Sequence, residues 1–190
     1  MARHLEFDPT EAIAFAVEAF WQFGYGQLSA GKIAEAMGVA KSSLYNTYGS
    51  KRELFLESID HYASNQRSKL LQRASGENVG TVLRQLLLEV VSDNHAGRGC
   101  LLANTASEFG SSDDEVRQRV KAGFDGMIEA FANLVQVGQM TGQFSSMVDA
   151  RRYAAVLVAG VSGLRTLVKC GYSADELECV VESLLAGLID

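Results

Sequence analysis

The residues best suited to meeting another molecule lie between Ser29 and Lys51. Lys41, Ser42, Ser43, Tyr45, Asn46 and Thr47 crowd into one short predicted helix, 40–48, around Leu44. Short polar side chains allow a helix to approach base edges closely in the major groove. The Tyr45 hydroxyl can reach a phosphate. Lys51 opens the next predicted helix, where a side-chain ammonium and unpaired backbone N–H groups together form a phosphate site. Ser29, ahead of the preceding short helix, adds a hydroxyl for the same purpose. The chemistry implied is contact with double-stranded DNA: Lys51, Tyr45 and Ser29 on phosphates, and Lys41, Ser42, Ser43, Asn46 and Thr47 facing base edges.

A second reactive group is Cys100, in Arg98-Gly99-Cys100-Leu101-Leu102. A cysteine at a helix start, two residues after an arginine, has a stabilised thiolate. The same position also suits a small apolar packing residue, and both readings stay open. Enzyme chemistry finds no comparable set. His4, His61 and His95 are far apart, and Glu57/His61 at i, i+4 has no matching pair elsewhere for a di-metal bundle. Gly160-Val161-Ser162-Gly163 lacks the spacing of a nucleophile elbow, and there is no phosphate-binding glycine loop or zinc spacing. No cofactor and no enzyme activity are expected.

The elements that position these groups are all helical, with no sustained period-2 alternation. A first helix spans about Pro9–Phe23 and stops at Gly24-Tyr25-Gly26. Ser29–Met37 and Ala40–Tyr48 flank the Gly38-Val39 turn, a helix-turn-helix with Ile33, Ala34, Met37, Val39 and Leu44 as its core. Ser50–Glu53 is a capping box for a helix to about Arg73. Ser75-Gly76-Glu77-Asn78 reads as a linker. Further helices end near Asn94, run over Cys100–Phe109, and start at Ser112–Glu115. In the last of these Val116, Val120, Phe124, Met127, Phe131 and Leu134 make one apolar face. Asp149 caps a helix to about Cys170, and Ser173–Glu176 boxes a final one. About nine helices follow. Small residues at Ala155, Ala159 and Gly163 let another helix approach closely. With Val181 and Leu184 of the last helix they suit a four-helix interface in a twofold homodimer.

Composition sets the outer limits. Hydrophobic residues are 47% and charged residues 21% of 190, enough for a sizeable core. The net charge is −6, with eight basic and eight acidic residues balancing in 1–73 and the acidic excess lying beyond. A uniformly basic nucleic-acid binder is excluded, whereas a locally basic face is not. Three cysteines, no signal-like start and no apolar run of membrane length point to the cytoplasm and to no membrane partner.

Phe20, Gly24, Tyr25, Ser29, Ile33, Ala34, Gly38, Val39, Leu44, Tyr45, Tyr48, Ser50, Lys51 and Leu54 together resemble the N-terminal pattern of the TetR family of bacterial transcriptional regulators. The likeness covers about fifty residues. Leu28, Lys32, Thr47 and Tyr48 depart from it where Thr, an acidic residue, His or Tyr, and Phe are usual, which alters base preference more than fold. The resemblance implies an all-α chain: a three-helix DNA-binding domain at 1–50, a connecting helix 51–73, and a larger ligand-binding and dimerisation domain at 74–190. It implies a repressor on an inverted-repeat operator, released by a small-molecule inducer. Asn104, Phe109, Phe124, Met127 and Phe131 would then line the inducer cavity. Gly99-Cys100-Leu101-Leu102 resembles a subgroup that senses electrophiles or oxidants through this cysteine. The rival reading is a helical adaptor using the helix-turn-helix for protein contacts.

Overall fold

Each helix starts and stops where local chemistry requires it. The computed structural model describes residues 9–73, 78–92 and 96–189. Among them are nine α-helices, a 3-10 turn at Ala96–Arg98 and no strand: α1 (Pro9–Gln27), α2 (Ala30–Ala36), α3 (Lys41–Tyr48), α4 (Lys51–Arg73), α5 (Val79–Ser92), α6 (Leu101–Phe109), α7 (Asp114–Met140), α8 (Ala150–Lys169) and α9 (Ala174–Ala186). Most of the expected linker, His4, His95 and the expected helix end near Asn94 lie outside the described residues.

Caps explain the boundaries. Ser29 accepts the Lys32 N–H ahead of α2, and Asp149 the Arg152 N–H ahead of α8. Ser173 and Glu176 form a complete capping box before α9. Asp113 caps α7, its carboxylate accepting the N–H groups of Glu115 and Val116 at 3.1 Å each. Gly24 breaks the helical path within α1 at φ 74°, ψ 169°, a backbone conformation that side chains with a Cβ rarely adopt. The expected stop after Phe23 is thus a turn of backbone direction inside a longer element.

The chain divides into two compact units. One holds residues up to Ser64 together with Leu101–Gly123, and the other holds Asn65–Cys100 with Phe124–Asp190. The expected boundary after residue 73 does not coincide with this division. The reason is α6, which packs on α1 rather than with the helices around it in sequence. The first unit is held by Phe20 and Phe55, both about 1% exposed, with Tyr25 and Phe109 stacked on them. Arg52 adds a bridge from α4 to the α7 start, reaching Asp113 at 3.0 Å and Glu115 at 2.7 Å. The second unit packs α5, α8 and α9 together around Leu83, Leu87, Leu134, Val135, Leu157 and Val181. Tyr153 donates to the Leu184 carbonyl at 2.7 Å, and Arg84 of α5 bridges Glu178 and Glu182 of α9.

This packing has two measurable consequences. The Phe144 ring lies against Gly138, where an added methyl would enter the ring. Gly138→Ala is expected to destabilise the chain by roughly 1–3 kcal/mol through overpacking, read as a lower denaturant midpoint. An unchanged midpoint would show that the ring moves freely. Asp113 has its carboxyl pulled below the ordinary range, chiefly by the Val116 N–H and then by Arg52. A depressed folded-state pKa stabilises above the unfolded value, and the contribution is lost as pH falls through the folded one. The stability gap between the wild-type chain and Asp113→Asn is therefore expected to be largest near neutrality and to close as pH drops below about 4. Thermal midpoints across that range check it, and a gap constant down to acid would remove the ionised carboxylate as its cause.

Candidate nucleic-acid interface and ligand cavity

α3 presents a sided helix. Leu44 is 1% and Tyr48 7% exposed, and these two anchor its inner face. Lys41, Ser42, Tyr45 and Asn46 are exposed on the outer face. The Lys41 Nζ stands 5.6 Å from the Tyr45 ring centroid, a cation–π distance that keeps a charge beside the aromatic. Ser43 and Thr47 are half-buried, and the Thr47 hydroxyl donates to the Ser43 carbonyl at 3.1 Å. Thr47 therefore uses its donor within the helix. The α2–α3 turn passes through Gly38 at φ 66°, and Leu28, Ile33 and Ala34 are buried beneath it. Ser29 is exposed and its oxygen already serves as a cap.

Lys51 stands differently from its sequence expectation. Its ammonium donates to the Tyr25 carbonyl at 2.6 Å and lies 3.8 Å from the Tyr25 ring centroid. Burial lowers its pKa, and the nearby Glu108 carboxylate opposes that shift. It joins the start of α4 to the end of α1. Glu108 completes the joint and was not anticipated. Its two oxygens accept the N–H of Tyr25 at 3.0 Å and of Gly26 at 2.7 Å. No local signal could have revealed a partner more than eighty residues away.

A cavity of about 390 Å³ lies in the second unit, between α4, α5, α7 and α8. Leu70, Leu86, Val90, Met127, Phe131 and Val161 form its apolar wall. Lys69, Arg73, Glu89 and Arg165 stand around it, with Arg73 and Glu89 paired at 2.5 Å. Of the expected cavity residues, Met127 and Phe131 are here. Phe124 packs against the core instead. Phe109 belongs to the other unit, 5.3 Å from Tyr25 and 5.4 Å from Phe55. Asn104, on α6, is half-buried in that unit too and does not line this cavity. Cys100 precedes α6 by one residue and is 9% exposed. The lysine and two arginines were missed because each reads singly as a solvated surface charge.

The expected pairing face is partly corrected. Ala155, Ala159 and Gly163 are exposed along α8. Val181 is fully buried in its own chain, and Leu184 is half-buried against Gly160. The outward face of α9 carries Cys179, Ser183 and Ala186.

A helix-turn-helix with an exposed polar second helix, followed by a helical unit with a cavity, is the build of a DNA-binding regulator. The family model for bacterial regulatory proteins of the tetR family matches residues 12–58, and that for the tetracyclin repressor-like C-terminal domain matches residues 82–184. The chain belongs to the TetR family of transcriptional regulators, which are not enzymes. The regulator TtgR of Pseudomonas putida is 30% identical over 164 residues, covering 81% of this chain and 76% of TtgR. The uncharacterized regulator YezE of Bacillus subtilis (strain 168) is 27% identical over 165 residues, 80% and 83% of the two chains. A cysteine-substituted variant of the TetR regulator CifR, solved with 26-base-pair double-strand operator DNA, superposes with a TM-score of 0.80. It is 26% identical, over 98% of this chain and all of the other. No helix of the described residues is long and apolar enough to cross a membrane.

The Glu108 joint is directly testable. Glu108→Gln leaves one acceptor where two are used, so the amide protons of Tyr25 and Gly26 are expected to exchange with solvent faster than in the wild-type chain. Residue-resolved hydrogen exchange reads this. Unchanged protection at both amides would show that the bend at Gly24 holds itself.

Proposed function

We propose that this chain is a homodimeric repressor that grips an inverted-repeat operator through α3 and leaves it when the cavity fills. The carrying observation is the sidedness of α3: Lys41, Ser42, Tyr45 and Asn46 outward, Leu44 and Tyr48 inward. Lys41, Tyr45 and Ser29 would lie on phosphates, and Ser42, Asn46 and the accessible part of Ser43 on base edges. Thr47 and Lys51 support the helix and its attachment. The operator complex of CifR supports double-stranded DNA as the partner.

Dimerisation would use the exposed Ala155–Ala159–Gly163 ridge of α8 with the Cys179–Ser183–Ala186 face of α9. A twofold dimer sets two α3 helices on successive major grooves, about one helical turn apart. The releasing signal is a small molecule in the cavity or modification of Cys100. The burial of Cys100 favours the cavity. Either signal acts only by stabilising the DNA-free conformer more than the DNA-bound one. Such a repressor works in the cytoplasm.

Selection of bound sequences from a random duplex pool at moderate salt tests this. Enrichment of an inverted repeat is expected. Lys41→Ala should then weaken binding to all duplexes and reduce the slope of log affinity against log salt by about one per subunit. Recovery without sequence enrichment, or with an unchanged slope in the variant, would overturn α3 as the reading helix.

A further inference from the structure

We infer that the cavity between α4, α5, α7 and α8 takes an amphipathic organic anion: a carboxylate or similar head group on an apolar body. The inference rests on the reading of this cavity as the signal site and adds its ligand class. The unit that contains it is acidic, with nine basic and eleven acidic residues over 65–100 and 124–190. Among the described residues, three of those nine bases line the cavity and one of the acids does. Positive charge is thus gathered at this one hollow, against the average of its surroundings.

The charges are also arranged for such a ligand. Lys69 and Arg73 lie one helical turn apart on α4, at i and i+4, and Arg165 comes from α8. Glu89, the single carboxylate, is held by Arg73 at 2.5 Å, so the four groups together keep a positive excess. Behind them the wall is apolar, with Leu70 and Phe131 each 4% exposed. A cation at the rim of a low-dielectric hollow attracts an anion more strongly than it would in open water. The apolar wall gains by covering the rest of the same molecule. A volume of about 390 Å³ holds a compact ligand of this kind. A neutral apolar molecule would use only the wall, and a cationic one would meet the excess charge.

The probes are decanoate and 2-naphthoate, each compared with its matched alcohol by calorimetry on the purified full-length chain. Each acid is expected to bind about ten-fold tighter than its alcohol, the scale of one charge-assisted contact. Lys69→Glu should remove that preference while leaving the alcohols near their wild-type affinity, and Lys69→Gln should give an intermediate loss. Val161→Trp, which fills the hollow, should abolish binding of acids and alcohols alike. Alcohols binding as tightly as the acids, no acid binding, or acid affinity untouched by Lys69→Glu would each overturn the inference. So would acid binding that survives Val161→Trp. Operator release is measured separately. Acids that bind without releasing DNA refute the inducer reading and leave the ligand class standing, whereas release by alcohols and acids alike does the reverse.

Discussion

Tyr25 is the residue on which the geometry of the first unit depends. Its ring is sandwiched among Phe20, Phe55 and Phe109, with centroids 6.2, 4.9 and 5.3 Å away. Its N–H is accepted by Glu108 and its carbonyl receives the Lys51 ammonium. One residue thereby joins α1, α4 and α6, and it does so immediately after the kink at Gly24. The bend sets the direction in which the chain enters α2, and α2 in turn carries the turn that aims α3. The aromatic contacts contribute mainly through buried area, while the two charged contacts add short, directional bonds to the backbone of the turn. Neither kind alone would hold a two-glycine turn in one conformation.

Local features of the fold were legible for local reasons. Ser29, Asp149 and the Ser173–Glu176 box mark helix starts because their side chains bond backbone groups three residues on. The helix end near Cys170 was legible because a glycine follows, and Gly171 does take the positive φ, 98°, that such an end favours. What was not legible is whatever depends on a partner distant in sequence. Phe109 was expected at the cavity, and its packing on Tyr25 and Phe55, both more than fifty residues away in sequence, places it in the first unit. Val181 lies on a stripe broad enough to serve a core or an interface, and burial in its own chain settles that. Lys51 had the type and position of a phosphate ligand, and nothing local announced its bond to the Tyr25 carbonyl. The basic rim of the cavity is spread over two helices ninety-odd residues apart, so no window of sequence contains it.

The same competition shapes how charge is used across the chain. Arg52, next to Lys51, is also consumed internally, by Asp113 and Glu115. These pairs are largely exposed, so each stabilises little. Their larger effect is to tie the start of α4 to the start of α7 while withdrawing two cations from the helix-turn-helix. An acidic chain that must approach a polyanion would ordinarily keep such cations outward. Here both are paired within the chain, which ties the helix-turn-helix to the helices behind it.

That leaves Lys32 and Lys41 as the basic side chains between Ser29 and Tyr48. Both are exposed. Two such cations per subunit would give counterion release a modest share of the affinity, since each neutralised phosphate contributes roughly 0.9 to the salt slope. The acidic remainder of the chain weakens non-specific attachment further. On the proposed reading, such a regulator would hold its operator through the fit of Ser42 and Asn46 to base edges and through the spacing of two α3 helices. Affinity that rests on spacing would be lost when the spacing changes, which is how the proposed ligand would act. On the proposed reading, the sparse charge on α3 and the denser charge at the cavity would serve one arrangement: weak general attraction to DNA, and attraction to a small anion that ends it.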